Sequence, residues 1–161
     1  DWSSDVCSSD LATKQSDLLL TEAQLTKVLY RFASNNTGSD KFSRQHQSTD
    51  KANDFLNHGN YLAYGLAACC LWVLGIPHGF AVMHGKTRRG ALVFDVADLI
   101  KDALVLPWAF ICAKEDATEQ EFRQQILQAF TDHKALDYMF DTVKSIALQN
   151  YTAEQIEEQN L

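Results

Sequence analysis

The chain has 161 residues, 46% of them hydrophobic and 22% charged, and a formal charge of −7. That composition suits one soluble globular domain with its own core, and it excludes a disordered or fibrous chain. The acidity excludes a general nucleic-acid coat, which needs a broad basic surface to displace counterions from phosphates.

The charge is unevenly spread: residues 1–75 carry 6 basic and 8 acidic side chains, residues 76–113 carry 4 and 3, and residues 114–161 carry 4 and 10. The acidity therefore sits in the last third. Cys7, Cys69, Cys70 and Cys112 show no C-x-x-C spacing, and two are adjacent in an apolar run. This favours reduced, buried thiols over a zinc or disulfide framework, as expected of a cytoplasmic protein.

In chain order, Asp5 to Leu11 reads DVCSSDL, which back-translates onto a common sequencing-adapter sequence. Residues 1–11 are accordingly expected to be an assembly artefact, leaving residues 12–161 as one helical domain. Thr21-Glu22-Ala23-Gln24 has the form of a capping box, with Leu20 and Leu25 placed as a hydrophobic staple. With the spacing Leu25, Val28, Leu29, Phe32, it predicts a helix over about Thr21–Ala33. Residues 34–49 are polar and suit a mobile surface loop. A long helix follows over about Asp50–Leu74, with Gly75 as its C-terminal cap and Pro77 stopping any continuation. Its most apolar part, Tyr61–Ile76, is shorter than the roughly 20 residues a membrane span needs, so it is expected to be a buried helix.

Phe80–Met83 and Ala91–Phe94 flank the basic turn HGKTRRG and fit a short β-hairpin or irregular extended chain. Helix is expected again from Phe94, with Pro107 opening another short turn and Trp108 and Phe110 in the core. Thr118-Glu-Gln-Glu121 and Thr152-Ala-Glu-Gln155 form further capping boxes. Residues 119–131, 134–149 and 153–160 read as amphipathic surface helices, so the fold class is mainly α.

The segment from His78 to Asp102 gathers the chemistry: His78, His84, Lys86, Arg88, Arg89, Asp95, Asp98 and Lys101. Asp95 and Asp98 are three positions apart and share a helix face, and two carboxylates in an apolar run are costly to bury unless paired. A divalent cation would relieve that cost, and oxygen donors with one imidazole suit magnesium or manganese. Asp95 also fits a helix N-cap, and a lone His84 is more often a hydrogen-bonded structural group. His46, His58 and His133 have no acidic cluster nearby and read as structural or surface residues. Gly85-Lys86-Thr87 suggests a phosphate loop, but that motif needs a glycine at position 80, which is Phe. Lys86, Arg88 and Arg89 read as phosphate-backbone contacts or as a solvated basic turn.

NDFLNHGNYLAYG (Asn53–Gly65) and WVLGIPHGFAVMHGKTRRGALVFDVADLIKDALVLPWAF (Trp72–Phe110) closely resemble the CRISPR-associated spacer-acquisition integrase, type I-F branch. The resemblance extends over roughly residues 14–150. It implies a larger helical C-terminal domain whose N-terminal β-rich partner domain is missing here. It also implies a metal site of Glu22, His84 and Asp98 with Asp95 as accessory carboxylate, binding magnesium or manganese. The implied reaction is insertion of prespacer DNA into a CRISPR array: a 3′-hydroxyl attacks a phosphodiester at the leader-repeat boundary, in bacterial antiviral defence. Implied partners are double-stranded DNA, a second copy in the full-length protein, and an adaptation partner fused to a helicase-nuclease. No membrane is implied. The rival readings are a helical scaffold or partner-binding module and a phosphate-loop hydrolase. Convergence of Glu22, His84 and Asp98 would separate the integrase from both.

Overall fold

The chain is seen as a computed structural model that describes residues 15–38, 42–45, 47, 50–80, 82 and 89–159. Its elements are α1 (Gln15–Thr37), α2 (Lys51–Val73), α3 (Ala91–Ile100), a π-helical turn (Lys101–Val105), α4 (Leu106–Lys114), α5 (Glu119–Asp132) and α6 (Ala135–Gln159). The mainly α class holds, and there is no strand among the described residues. The proposed hairpin fails at its second arm, because Ala91–Phe94 forms the first turn of α3, with Val93 N–H bonded to the Gly90 carbonyl at 2.9 Å. Met83 to Arg88 lies outside the described residues.

The organising helix is α2, which packs against α3, the π-helical turn, α4, α5 and α6. It starts cleanly: Asp50 accepts the Asn53 N–H at 3.0 Å. It ends as the sequence predicts, with Gly75 at φ 70°, Gly75 N–H bonded to the Trp72 carbonyl and Ile76 N–H to the Leu71 carbonyl. That pair of bonds satisfies carbonyls the helix would otherwise orphan, and the left-handed φ at its centre favours glycine. Between the ends, Gly59, Ala63, Ala67 and Cys70 form a buried seam of small side chains, flanked by Phe55, Leu56 and Leu71. The Phe55 ring stacks on Phe122 of α5 with centroids 4.6 Å apart. Tyr61, Gly65, Cys69, Trp72 and Val73 face solvent instead. The run expected to be buried is therefore amphipathic by size: small residues inward, large ones partly outward. Of the thiols expected to be buried, Cys70 and Cys112 are buried and Cys69 is exposed.

Helix α1 differs from its sequence reading at both ends. It is already helical at Gln15, so Thr21 is interior and its hydroxyl donates to the Asp17 carbonyl at 2.8 Å instead of capping. At the other end Ser34, Asn36 and Thr37 side chains bond back to the Arg31, Phe32 and Ala33 carbonyls, carrying helix three residues beyond Ser34. Leu25, Val28 and Phe32 are exposed, and the face turned to the core carries Leu29, Tyr30 and Ala33.

Residues 42–45, expected in a mobile loop, are pinned by the buried Asn53. Its amide nitrogen donates to the Ser43 carbonyl (2.9 Å) and Asp50 carboxylate (2.6 Å), while its oxygen accepts from Gln45 N–H and Arg44 Nη1, both at 2.9 Å. All four hydrogen-bonding positions of the amide are used, which is what makes its burial tolerable.

At the other end of the molecule Thr118 and Glu121 form the predicted capping box of α5, and these bonds hold the Glu121 carboxyl below its ordinary pKa. The second predicted box, at Thr152, starts no new helix: α6 runs unbroken to Gln159. No helix among the described residues is long and apolar enough to cross a membrane.

The backbone is closely approached at Gly59, where an added Cβ would stand 2.5 Å from Val105 Cγ1 and 3.2 Å from the Phe122 ring. Gly59→Ala should destabilise the fold by about 1–3 kcal/mol through overpacking. Adding Val105→Ala should return part of that loss, and urea melts of the two single variants and the double variant check the coupling.

Candidate functional site

The segment Ala91–Lys114 is a continuous helical path interrupted by one wide turn, with the Leu106 N–H reaching the Lys101 carbonyl five residues back. A π-helical turn inserts one residue, so the faces before and after it are offset by about a quarter turn. On α3 Asp95 and Asp98 are partly buried, while Val96, Ala97, Ile100, Leu104 and Val105 are buried. Asp95 lies in the second turn of α3, whose N-cap is Gly90, so it is not a cap. Its Oδ2 accepts the Val82 backbone N–H at 2.9 Å. A second tie, Leu92 N–H to the His78 carbonyl at 3.2 Å, fixes the preceding turn to the start of α3. Arg89 is exposed in the turn just before Gly90.

Asp98 is three-quarters buried and forms an ion pair and hydrogen bond with Lys101, one turn on. Burial alone would lower the Lys101 ammonium pKa, but the hydrogen bond and charge of Asp98 outweigh it and raise it. The same ammonium lies 5.6 Å from the centre of the Tyr64 ring on α2, within cation–π range. Tyr64 packs edge-on against Phe94 of α3 at 4.8 Å. Asp102, next in this row, has its carboxyl raised by burial and by the charge of Asp98, with Lys101 opposing. Across from it, burial raises the Tyr30 phenol of α1, while a hydrogen bond and the charge of Arg44 oppose that rise. Arg44 also donates to Asn57 Oδ1 at 2.7 Å. Lys101, Asp102, Tyr64, Tyr30 and Arg44 received no role from sequence; only the three-residue spacing of Asp98 and Lys101 could have signalled one.

The predicted site residues fare as follows. Asp95 and Asp98 share one face of α3. Glu22 lies on α1, half-buried, eight residues and so about 12 Å along the axis from Tyr30. His84, Lys86 and Arg88 lie outside the described residues. Among the described residues no group of three His, Cys, Asp or Glu side chains is arranged to hold a metal ion. The donors that are described fit a hard divalent cation in kind. They are two carboxylates one helical turn apart, and one of them already holds a positive charge, the Lys101 ammonium. A phosphate loop lacks support: no strand precedes the turn at Arg89 among the described residues, and α3 is capped by Gly90 without a side-chain bond.

No protein-family model matches the chain. It is 61% identical over 133 residues to the CRISPR-associated endonuclease Cas1 of Pectobacterium atrosepticum, covering 81% of this chain and 41% of that protein. It is 55% identical over 138 residues to the CRISPR-associated endonuclease Cas1 of Pseudomonas aeruginosa, covering 84% of this chain and 43% of that protein. The chain thus spans about two-fifths of the length of these relatives. Its fold matches the crystal structure of a TtCas1–DNA complex with a TM-score of 0.75 at 24% identity, covering 83% of this chain and 50% of that one.

Lys101 and a bound cation would compete for Asp98. Lys101→Met should lower metal-free stability by about 1–2 kcal/mol, the worth of a charged hydrogen bond. It should also enlarge the manganese-induced rise in Tm. Thermal melts with and without manganese measure both, and an unchanged manganese shift would place the ion away from Asp98.

Proposed function

This chain belongs to the CRISPR-associated endonuclease Cas1 family, and from that premise we propose that it carries the metal-dependent active site of a DNA integrase and endonuclease. The observation that carries the reading is the row on α3: Asp95 tied to Val82, and Asp98 paired with a cation. We assign metal binding to Asp98, His84 and Glu22, with Asp95 as the accessory carboxylate that orients the turn before α3. Magnesium or manganese, when bound there, supplies Lewis acidity at the phosphate and offsets charge on its oxygens.

In the proposed reaction the 3′-hydroxyl oxygen of one strand bonds to a target phosphorus. The bond from that phosphorus to its own 3′-oxygen breaks, and the released oxygen takes a proton. Water in place of the hydroxyl gives hydrolysis, the endonuclease outcome. Lys86, Arg88 and Arg89 hold the DNA backbone beside the acidic row, which fixes the phosphate without reading bases. Lys101, fixed by Asp98 and the Tyr64 ring, keeps positive charge at the same place. The substrates that follow are prespacer DNA and a CRISPR leader-repeat. The assembly that follows is the homodimer with a helicase-nuclease-fused adaptation partner, acting in the bacterial cytoplasm. The scaffold reading gains no observation of its own.

His84→Ala and Asp98→Asn should each lower manganese-dependent cleavage and strand transfer by about 100- to 1,000-fold, as several kcal/mol of lost transition-state stabilisation requires. Gel assays on short labelled DNA check this, and near-normal activity in either variant would defeat the assignment. Arg88→Ala with Arg89→Ala should weaken binding to unrelated sequences equally and reduce the salt slope by about 2, as expected for two lost phosphate contacts. Titrations at several salt concentrations measure that slope.

A further inference from the structure

A chain of aromatic contacts leads from the acidic row to solvent, and the reaction proposed above uses only its Tyr64 ring, beneath Lys101, leaving the exposed end without a role. Phe94, beside Asp95, meets the Tyr64 ring edge-on at 4.8 Å. Tyr64, beneath the Lys101 ammonium, meets the Tyr61 ring edge-on at 6.2 Å. Tyr61 ends the chain, with 73% of its surface open to solvent. A large aromatic side chain this exposed gains little from the core, yet its orientation is set from below by a ring that is itself fixed on two sides. The ring chain thus ends in a held aromatic group beside a phosphate-handling site.

We propose that Tyr61 is a positioning residue that stacks on an unpaired nucleobase of DNA engaged at the Asp95–Asp98 row. This rests on the DNA-processing reading above. The base proposed is an unpaired one because a base inside the duplex has both faces covered, and the terminal pair of a blunt end, which keeps one face open, is the comparison in the test. A base held here would fix a strand end relative to Asp98 through Tyr64 and Lys101, with no hydrogen-bond reading of its identity. Trp72 on the same helix is similarly exposed, at 79%, but lies about three turns further on. It is the internal control.

The test uses this chain and a short duplex with a single-stranded 3′ tail whose first unpaired base is 2-aminopurine, alongside a blunt duplex of the same sequence. In the wild type the tailed DNA should bind about tenfold more tightly than the blunt one, with quenched 2-aminopurine emission, as one stacked base provides. Tyr61→Ala and Tyr61→Leu should lose both the preference and the quenching while binding blunt duplex normally. Tyr61→Phe should keep both, since it preserves the ring, and Trp72→Ala should behave as wild type. Quenching that persists in Tyr61→Ala, or an equal loss in Trp72→Ala, would overturn the proposal and leave the Asp98 assignment standing. Loss of all cleavage dependence on Asp98 would instead overturn the DNA-processing reading, whatever Tyr61 does.

Discussion

The packing of α2 against the π-helical turn and α5 depends on the absence of a side chain at Gly59, beside Val105 and Phe122. Without a side chain at position 59, the backbone of α2 can approach until Val105 and Phe122 fill the space a Cβ would take. Ala63, Ala67 and Cys70 continue the buried seam along α2, which packs on α3 and α4, where Ala97 and Ala109 are also fully buried. Close packing of this kind is unforgiving of volume changes. It also fixes the wide turn between α3 and α4 in register, because Val105 belongs to that turn. Asp98 and Lys101, both about three-quarters buried, lie just before and at the start of that turn.

The polar side of the molecule is organised by matched partners. Lys101 and its neighbour Asp102 both lie one turn on from Asp98, so the Lys101 ammonium offsets both carboxylates, and it leans on an aromatic face as well. Arg44 serves a similar part for Asn53, Asn57 and Tyr30, joining residues 42–45 and α1 to the start of α2. Among the described residues no buried side-chain nitrogen or oxygen is left without a hydrogen bond. Polar groups fully satisfied in this way specify geometry as well as tolerate burial.

Where local chemistry decides structure, the sequence was readable. Gly75 after an apolar run ended α2 because its left-handed φ closes the terminal carbonyls, and Thr118 with Glu121 opened α5 because each side chain bonds the other's backbone. Asp95 and Asp98 were legible as one face because a three-residue spacing leaves little freedom on a helix. Tertiary context overrode the rest. Thr21 had the form of a cap but its hydroxyl is spent on the Asp17 carbonyl, so a local signal lost to six more helical residues. The π-helical turn has no local signature in KDALV. Asn53 looked like one polar residue at a helix start, and only the fold shows that it holds a segment ten residues earlier. The apolar face of α1 was read correctly as a period but in the wrong phase, because packing against α4 selected Leu29, Tyr30 and Ala33.

The charge distribution makes an acidic chain compatible with chemistry on phosphates. Ten of the 21 acidic residues lie from Lys114 onward, in and around α5 and α6, while residues 76–113 carry four basic and three acidic side chains. At physiological salt the field of an exposed charge is screened over about 8 Å. What an approaching strand meets is then set by the local balance near α3, where Arg89 is exposed and Lys101 is held in place, and not by the net charge of −7. Of the carboxylates in that region, Asp98 is neutralised by Lys101 and Asp95 is held by a backbone N–H. Their repulsion toward a phosphate is thereby reduced, so in the proposed reaction a divalent cation would have only the remaining part of it to overcome.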